Sequence, residues 1–358
     1  MRSFVATLLI SAAVSLLAVA VYHGLISRSE YQPYHHRNVA YLDTADNGFS
    51  KGWQGHERAQ PRVWFDMHMH MTDACSTVGL IQEGVGYWKK AMGDLGGLCG
   101  GVILDGTLDT ARPLYEYCRT DTSMHPFLWL KFSKDPPAPA QLEYLVKTRG
   151  VEGVKLHNGF IYDDALDYRL MDSEAWNAIY ATCGKLGIPI LWHLNHRFCD
   201  PEIVYWDCNY EKIWKGLPYT NRDVLALFEK IADKHKDVQF ILAHMNFMGY
   251  DSLGTLFDRH PNVCADGSSP LKISTAHRLT PREIQELRPF FIKYQDRIFF
   301  GTDNSIRLPP QRNEAVEVLN MLYLYTDYQY FLLQLELPHR VIDKIAYRNA
   351  EKALRAKF

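Results

Sequence analysis

Two histidines stand two residues apart at the end of an apolar run, in the stretch VWFDMHMHM over residues 63–71. On a β-strand, side chains at i and i+2 face the same way, so one ion could touch both His68 and His70. The pair alone is a weak signal, since most histidines serve packing or surface roles and two packed histidines in a methionine-rich strand are the commoner case, so the rest of the chain must supply the missing ligands. Other groups of the right type end other apolar runs. GVKLH ends in Lys155 and His157, PILWHLN carries His193, FILAHMN carries His244, and IFFGTDN carries Asp303. Singly, each has an ordinary use: hydrogen-bonded packing for a histidine, a cap for Asp303, a snorkelling stem for Lys155. Together they stand at the same end of five separate runs. Four or five nitrogen and oxygen ligands without a thiolate suit Zn2+, with Mn2+ or Fe2+ as competitors. Such an ion lowers the pKa of bound water to about 7. A carboxylate touching that water can carry its proton to a leaving group, and Asp303 is the candidate.

Elements must bring these groups together. Short apolar runs recur at 63–68, 101–105, 127–132, 152–157, 188–194, 238–244, 262–266 and 297–302. Between them, AQLEYLVKT, SEAWNAIYATCGKLG and NRDVLALFEKIADKH repeat apolar residues at helical spacing. Gly187 closes the second of these, and Thr280, Pro281 and Glu283 form the start signal of another. Strands alternating with helices predict a (β/α)8 TIM barrel over residues 62–358, in which strand C-termini converge on one mouth. An open doubly wound sheet is the alternative, but no glycine-rich phosphate loop follows any strand. Gly153 and Gly301 are expected to leave interior room below the candidate groups.

DMHMH, GVKLH, His193, His244 and FFGTD, in that order, resemble the amidohydrolase superfamily and within it the amidohydrolase-2 branch. IAYRNAEKAL, with Asn349 and Ala350, is similar to the closing helix of that branch. The resemblance covers 62–358 and implies a distorted barrel without an added β-sandwich domain. It implies a metal held by His68, His70, His193 and Asp303, with His244 as a further ligand or as a group polarising the substrate or the water. Binuclear relatives use a carboxylated lysine where Lys155 stands. One ion is expected rather than two, leaving Lys155 and His157 to support the metal ligands or to bind substrate. The expected activity is hydrolysis of an amide, ester or lactone carbonyl of a small molecule. Metal-dependent non-oxidative decarboxylation is the enzymatic alternative, and a binding protein on a relic barrel is the third.

The chain has 358 residues with 39 basic and 41 acidic side chains, which gives no reason to expect a nucleic-acid partner. Residues 1–22 hold an uncharged stretch from Phe4 to Tyr22, and Ala18-Val19-Ala20 offers a cleavage pattern. They are read as a signal peptide or an N-terminal membrane anchor, which places the rest outside the cytoplasm and limits membrane contact to this segment. Residues 23–61 read as a linker and wrapping segment. Seven cysteines leave one thiol over, with Cys199 and Cys208 the best disulfide candidates in an oxidising compartment. Cys183 and Cys264 read as small core residues. The loop after His193 is rich in aromatics and suits either a lid over the mouth or a packed excursion and contact between copies of the chain. Arg197 and Arg307 could each clamp a substrate carboxylate.

Overall fold

The computed structural model describes residues 61–71, 76–108, 113–159, 161, 166–195, 219–268, 279–308, 328–329 and 331–358. The first half runs β1 (Trp64–Met71), α1 (Val78–Gly96), β2 (Leu98–Gly106), α2 (Pro113–Thr120), β3 (Met124–Lys131), α3 (Pro139–Arg149) and β4 (Gly153–His157). The second continues with α4 (Glu174–Leu186), β5 (Ile190–His193), α5 (Asn221–Lys234), β6 (Phe240–Leu242), α6 (Tyr250–Arg259) and β7 (Val263–Asp266). It ends with α7 (Pro281–Lys293), β8 (Ile298–Phe299), β9 (Asn304–Ile306), α8 (His339–Asp343) and α9 (Asn349–Leu354).

All strand pairs are parallel, in the order β8-β7-β6-β5-β4-β3-β2-β1-β9. The two outer strands belong to one interrupted stretch of chain. Its β8 pairs with β7 and its β9 with β1, and between them Met67 N donates to Phe300 O at 3.0 Å and Asp303 N to His68 O at 2.8 Å. The eighth strand of a (β/α)8 barrel is thus split in two by the turn that carries Asp303, and it closes the ring against β1. Asp66 holds that seam: its buried carboxylate accepts from Thr302 N at 3.0 Å, Thr302 Oγ1 at 2.5 Å and His68 N at 2.9 Å.

Parallel strands covered by helices are buried on both faces, which explains their near-continuous apolar runs. Met67, Met69 and Met71 are buried between the β1 histidines, as packing residues should be. Helix ends follow their sequence signals. Ser173 caps α4, which stops at left-handed Gly187 (φ 64°), and Thr220–Asp223 and Thr280–Glu283 form capping boxes on α5 and α7. Cys183 and Cys264 are buried in α4 and β7. The closing helix carries a π-turn over Lys344–Arg348, and Asn349 Nδ2 donates to Gln295 O and Ile298 O beneath β8.

Two local expectations change. The space at Gly153 is filled by the Phe127 ring, whose nearest atom would lie 2.4 Å from an added Cβ, so this glycine serves packing between β3 and β4 rather than the mouth. The 238–244 run is a strand only as far as Leu242, after which His244, Met245, Asn246 and Phe247 turn left-handed at φ 59°, 49°, 55° and 50°. The residues stay buried, so apolar patterning continues where the strand has ended.

Candidate metal centre

His68 and His70 leave β1 on one face, and their Nε2 atoms lie 3.3 Å and 3.4 Å from the same oxygen, Asp303 Oδ1. His244, on the left-handed turn after β6, offers a third ring. The ligand atoms of His68, His244 and Asp303 all fall within 4.8 Å of one another. His193, at the end of β5, stands on the far side of His244, with its Nδ1 3.3 Å from His244 Nε2. The five groups therefore form a chain, His70–Asp303–His68 joined to His244–His193, with His244 in the tight cluster.

The donors fit a metal ion. Ligands about 2.0–2.1 Å from a tetrahedral zinc are separated by about 3.3–3.4 Å, the spacing seen between Asp303 and each β1 histidine. His68 Nε2 is buried, and among the described residues it makes no regular hydrogen bond; the carboxylate of Asp303, 3.3 Å away, is the polar group that faces it. The opposite ring nitrogens are committed to acceptors. His70 Nδ1 lies 3.1 Å from Asp105 Oδ1, His68 Nδ1 lies 3.0 Å from Asp266 Oδ2, and His244 Nδ1 lies 2.6 Å from the Ser268 carbonyl. A carbonyl only accepts, so His244 carries its proton on Nδ1 and turns a lone pair inward from Nε2. That tautomer can bind an ion or take a proton. Polarising a substrate oxygen through Nε2 would require a second proton on this ring.

Electrostatics support ionised Asp303 and neutral His244. Burial pushes the Asp303 carboxyl up, but hydrogen bonding to His68 and His70 holds it well below its ordinary range. Burial lowers the His244 imidazole to about 4. Desolvation also lowers the His70 imidazole, yet Asp105 and Asp303 outweigh it and raise the ring to about 9 in the metal-free state.

Lys155 is fully buried on β4, and its Nζ has no hydrogen-bond partner among the described residues. Desolvation depresses the amine to about 8, against the attraction of Asp266, Asp303 and Asp105. His157 stands beside His193 in register, with ring centroids 4.2 Å apart, and its Nδ1 accepts from Gly159 N at 2.7 Å. Trp129 lies between His70 (5.5 Å) and His157 (6.3 Å), so aromatic faces continue around the mouth from β1 to β4. Arg307 is exposed just beyond β9. Arg197, Cys199, Cys208 and most of the aromatic loop lie outside the described residues, as do residues 1–60. No helix among the described residues is long and apolar enough to cross a membrane.

Sequence reasoning passed over Asp105, Asp266 and Ser268. The signal was present for the two aspartates, since each ends an apolar strand run, at 101–105 and 262–266. The same strand-end rule that selected the histidines selects them. Ser268 and Trp129 have no comparable local signal.

A model of the amidohydrolase family, Amidohydro_2, matches residues 65–356. No curated protein sequence matches the chain. Among solved structures, an Agrobacterium tumefaciens protein is similar at TM-score 0.50 and 16% identity, over 85% of this chain and 99% of that one. Saccharomyces cerevisiae dihydroorotase, solved with 5-fluoroorotic acid, is similar at TM-score 0.50 and 13% identity, over 82% and 84%. The 5-carboxyvanillate decarboxylase of Sphingomonas paucimobilis is similar at TM-score 0.49 and 10% identity, over 83% and 100%.

Proposed function

The chain belongs to the amidohydrolase family, and from that premise we propose that it is a metal-dependent hydrolase acting on an amide, ester or lactone carbonyl of a small molecule. The observation that carries this reading is the meeting of His68, His244 and Asp303 within 4.8 Å at the mouth of the barrel. His68, His70, His193 and Asp303, with His244 as a further ligand, would hold the ion, and a donor set of nitrogen and oxygen makes Zn2+ the first choice. When bound, the ion supplies Lewis acidity that brings the pKa of water to about 7.

The chain's own groups then manage the proton and the substrate. Asp303, held through Oδ1 between the two β1 histidines, takes the proton of the attacking water on its carboxylate and passes it to the leaving group. Its depressed pKa keeps it ionised for the first of these steps. His244 serves as ligand or as a second proton acceptor through its inward lone pair. Lys155, buried without a hydrogen-bond partner among the described residues, and His157 beside it are the groups assigned to substrate.

The test loads the purified protein with zinc and screens lactones, N-acyl amides and aromatic carboxylates. Hydrolysis that disappears in Asp303→Asn, with metal lost in His68→Ala, supports the reading. Release of carbon dioxide from a carboxylate would replace hydrolysis with decarboxylation on the same centre. A protein that takes up no transition metal, or binds it unchanged in His68→Ala, overturns the metal-dependent reading. We also propose export through residues 1–22, to be checked by fractionating cells that express the full chain.

A further inference from the structure

We propose that the turn after β7, Asp266-Gly267-Ser268, is a positioning unit that orients two metal-binding histidines at once, although it contributes no ligand itself. The inference rests on the metal-centre reading above. His68 lies on β1 and His244 on the turn after β6, strands that are not neighbours in the sheet, and their rings approach to 5.0 Å between centroids. Both turn their Nδ1 atoms to this one turn.

Asp266 Oδ2 lies 3.0 Å from His68 Nδ1, and Oδ1 accepts from His244 N at 3.2 Å and Ser268 N at 2.9 Å. Ser268 Oγ donates to Asp266 Oδ1 and lies 2.9 Å from His68 Nδ1 and 3.0 Å from His244 Nδ1. The Ser268 carbonyl takes the His244 Nδ1 proton. One carboxylate, one hydroxyl and one carbonyl thus engage both rings at Nδ1 and turn both Nε2 atoms inward, that of His68 toward Asp303 and that of His244 toward His193. A hydrogen bond at the far nitrogen sets the tautomer and ring angle of a ligating histidine and raises its basicity.

The turn is well placed to hold a fixed geometry. Asp266 and Ser268 are fully buried, so their hydrogen bonds do not compete with water. A Cβ on Gly267 would meet the Tyr328 ring at 1.9 Å, so a buried side chain backs the turn at its middle residue. The other histidine of the pair, His70, has a separate partner in Asp105, and both side chains are about one-fifth exposed (20% and 19%). Solvent can stand in for Asp105 more readily than for Asp266.

Zinc affinity of the full chain, measured by competition with a fluorescent chelator, tests the proposal, together with 15N spectra that report the histidine tautomers. Asp266→Asn is expected to weaken zinc binding by about 10- to 100-fold and to erode the Nδ1–H state of His68. Ser268→Ala is expected to weaken it less and to disturb His68 and His244 together. Asp105→Asn is expected to weaken it less than Asp266→Asn. Unchanged affinity in Asp266→Asn overturns the proposal while leaving the metal centre standing. If Asp266→Asn does not fold, Ser268→Ala decides: weaker binding with altered signals from both rings supports the unit, and wild-type binding overturns it. Wild-type protein that binds no zinc overturns both readings.

Discussion

His244 and Asp303 reach the barrel mouth on the same backbone device, a left-handed residue, at φ 59° and 58°. Neither is glycine, and each sits where its strand run has just been interrupted, His244 after β6 and Asp303 between β8 and β9. The left-handed region costs an ordinary side chain about 1–2 kcal/mol, and such residues gather at functional sites because surrounding structure holds them there. Asp303 is held by its N–H donation to His68 O at 2.8 Å. The turn at His244 is held by Asn195, whose N lies 3.2 Å from Asn246 Oδ1 and whose Nδ2 donates to Asn246 O at 3.3 Å.

This backbone inverts a usual preference. Glycine ordinarily destabilises relative to alanine, but at left-handed positions alanine is the worse residue. Metal-free His244→Gly is expected to be more stable than His244→Ala by about 1 kcal/mol, as measured by denaturant unfolding. Equal stability, or an advantage for alanine, would mean that this turn is not left-handed in solution.

The barrel seam depends on a buried carboxyl. Asp66 takes two hydrogen bonds from Thr302, and burial pushes its carboxyl up to about 7. Thr302→Val keeps the side-chain shape and removes the hydroxyl donor. It is expected to cost about 1–3 kcal/mol in urea unfolding and to raise the mobility of Asp303, its chain neighbour.

Lys155 leaves a signature in the pH dependence of the metal-free protein. Its amine is lowered from 10.5 to about 8 by burial, so between those pH values the unfolded chain binds a proton that the folded chain has released. Its contribution to stability therefore rises from about pH 8 to about 10.5 and is lost as pH falls back through 8. In Lys155→Met this rise should vanish, and below pH 8 the variant should be the more stable protein. Thermal melts of both proteins from pH 7 to 11, compared as a difference, provide the measurement.

Metal removal should be visible in stability as well as activity. A ligand bound only by the folded state adds about 4 kcal/mol at a thousand times its dissociation constant. Zinc is expected to raise the melting temperature of chelator-stripped protein, and His68→Ala should abolish the increase. A melting temperature indifferent to zinc in the wild-type chain would contradict the centre.

The positions of the candidate groups were legible because β-structure has a short period. Residues i and i+2 share a face, and an apolar run that ends in a polar residue places that residue at a strand end. His68, His70, Lys155, His157 and His193 could be located in this way without coordinates, and so could the helix caps at Thr280 and Gly187. The same pattern misled at His244, because burial continues past Leu242 and hydropathy does not distinguish a buried strand from a buried left-handed turn.

Amino-acid order by itself determined which chemical groups arrive at the mouth of the barrel. Tertiary structure decided which atoms of those groups face the centre. His70 is oriented by Asp105, 35 residues away, and His68 by Asp266, 198 residues away. An imidazole has two nitrogens of similar chemistry, and the choice between them is made by a hydrogen bond to a distant strand. Local periodicity carries no trace of that bond, because the partners become neighbours only when the sheet curls and β1 meets the split eighth strand.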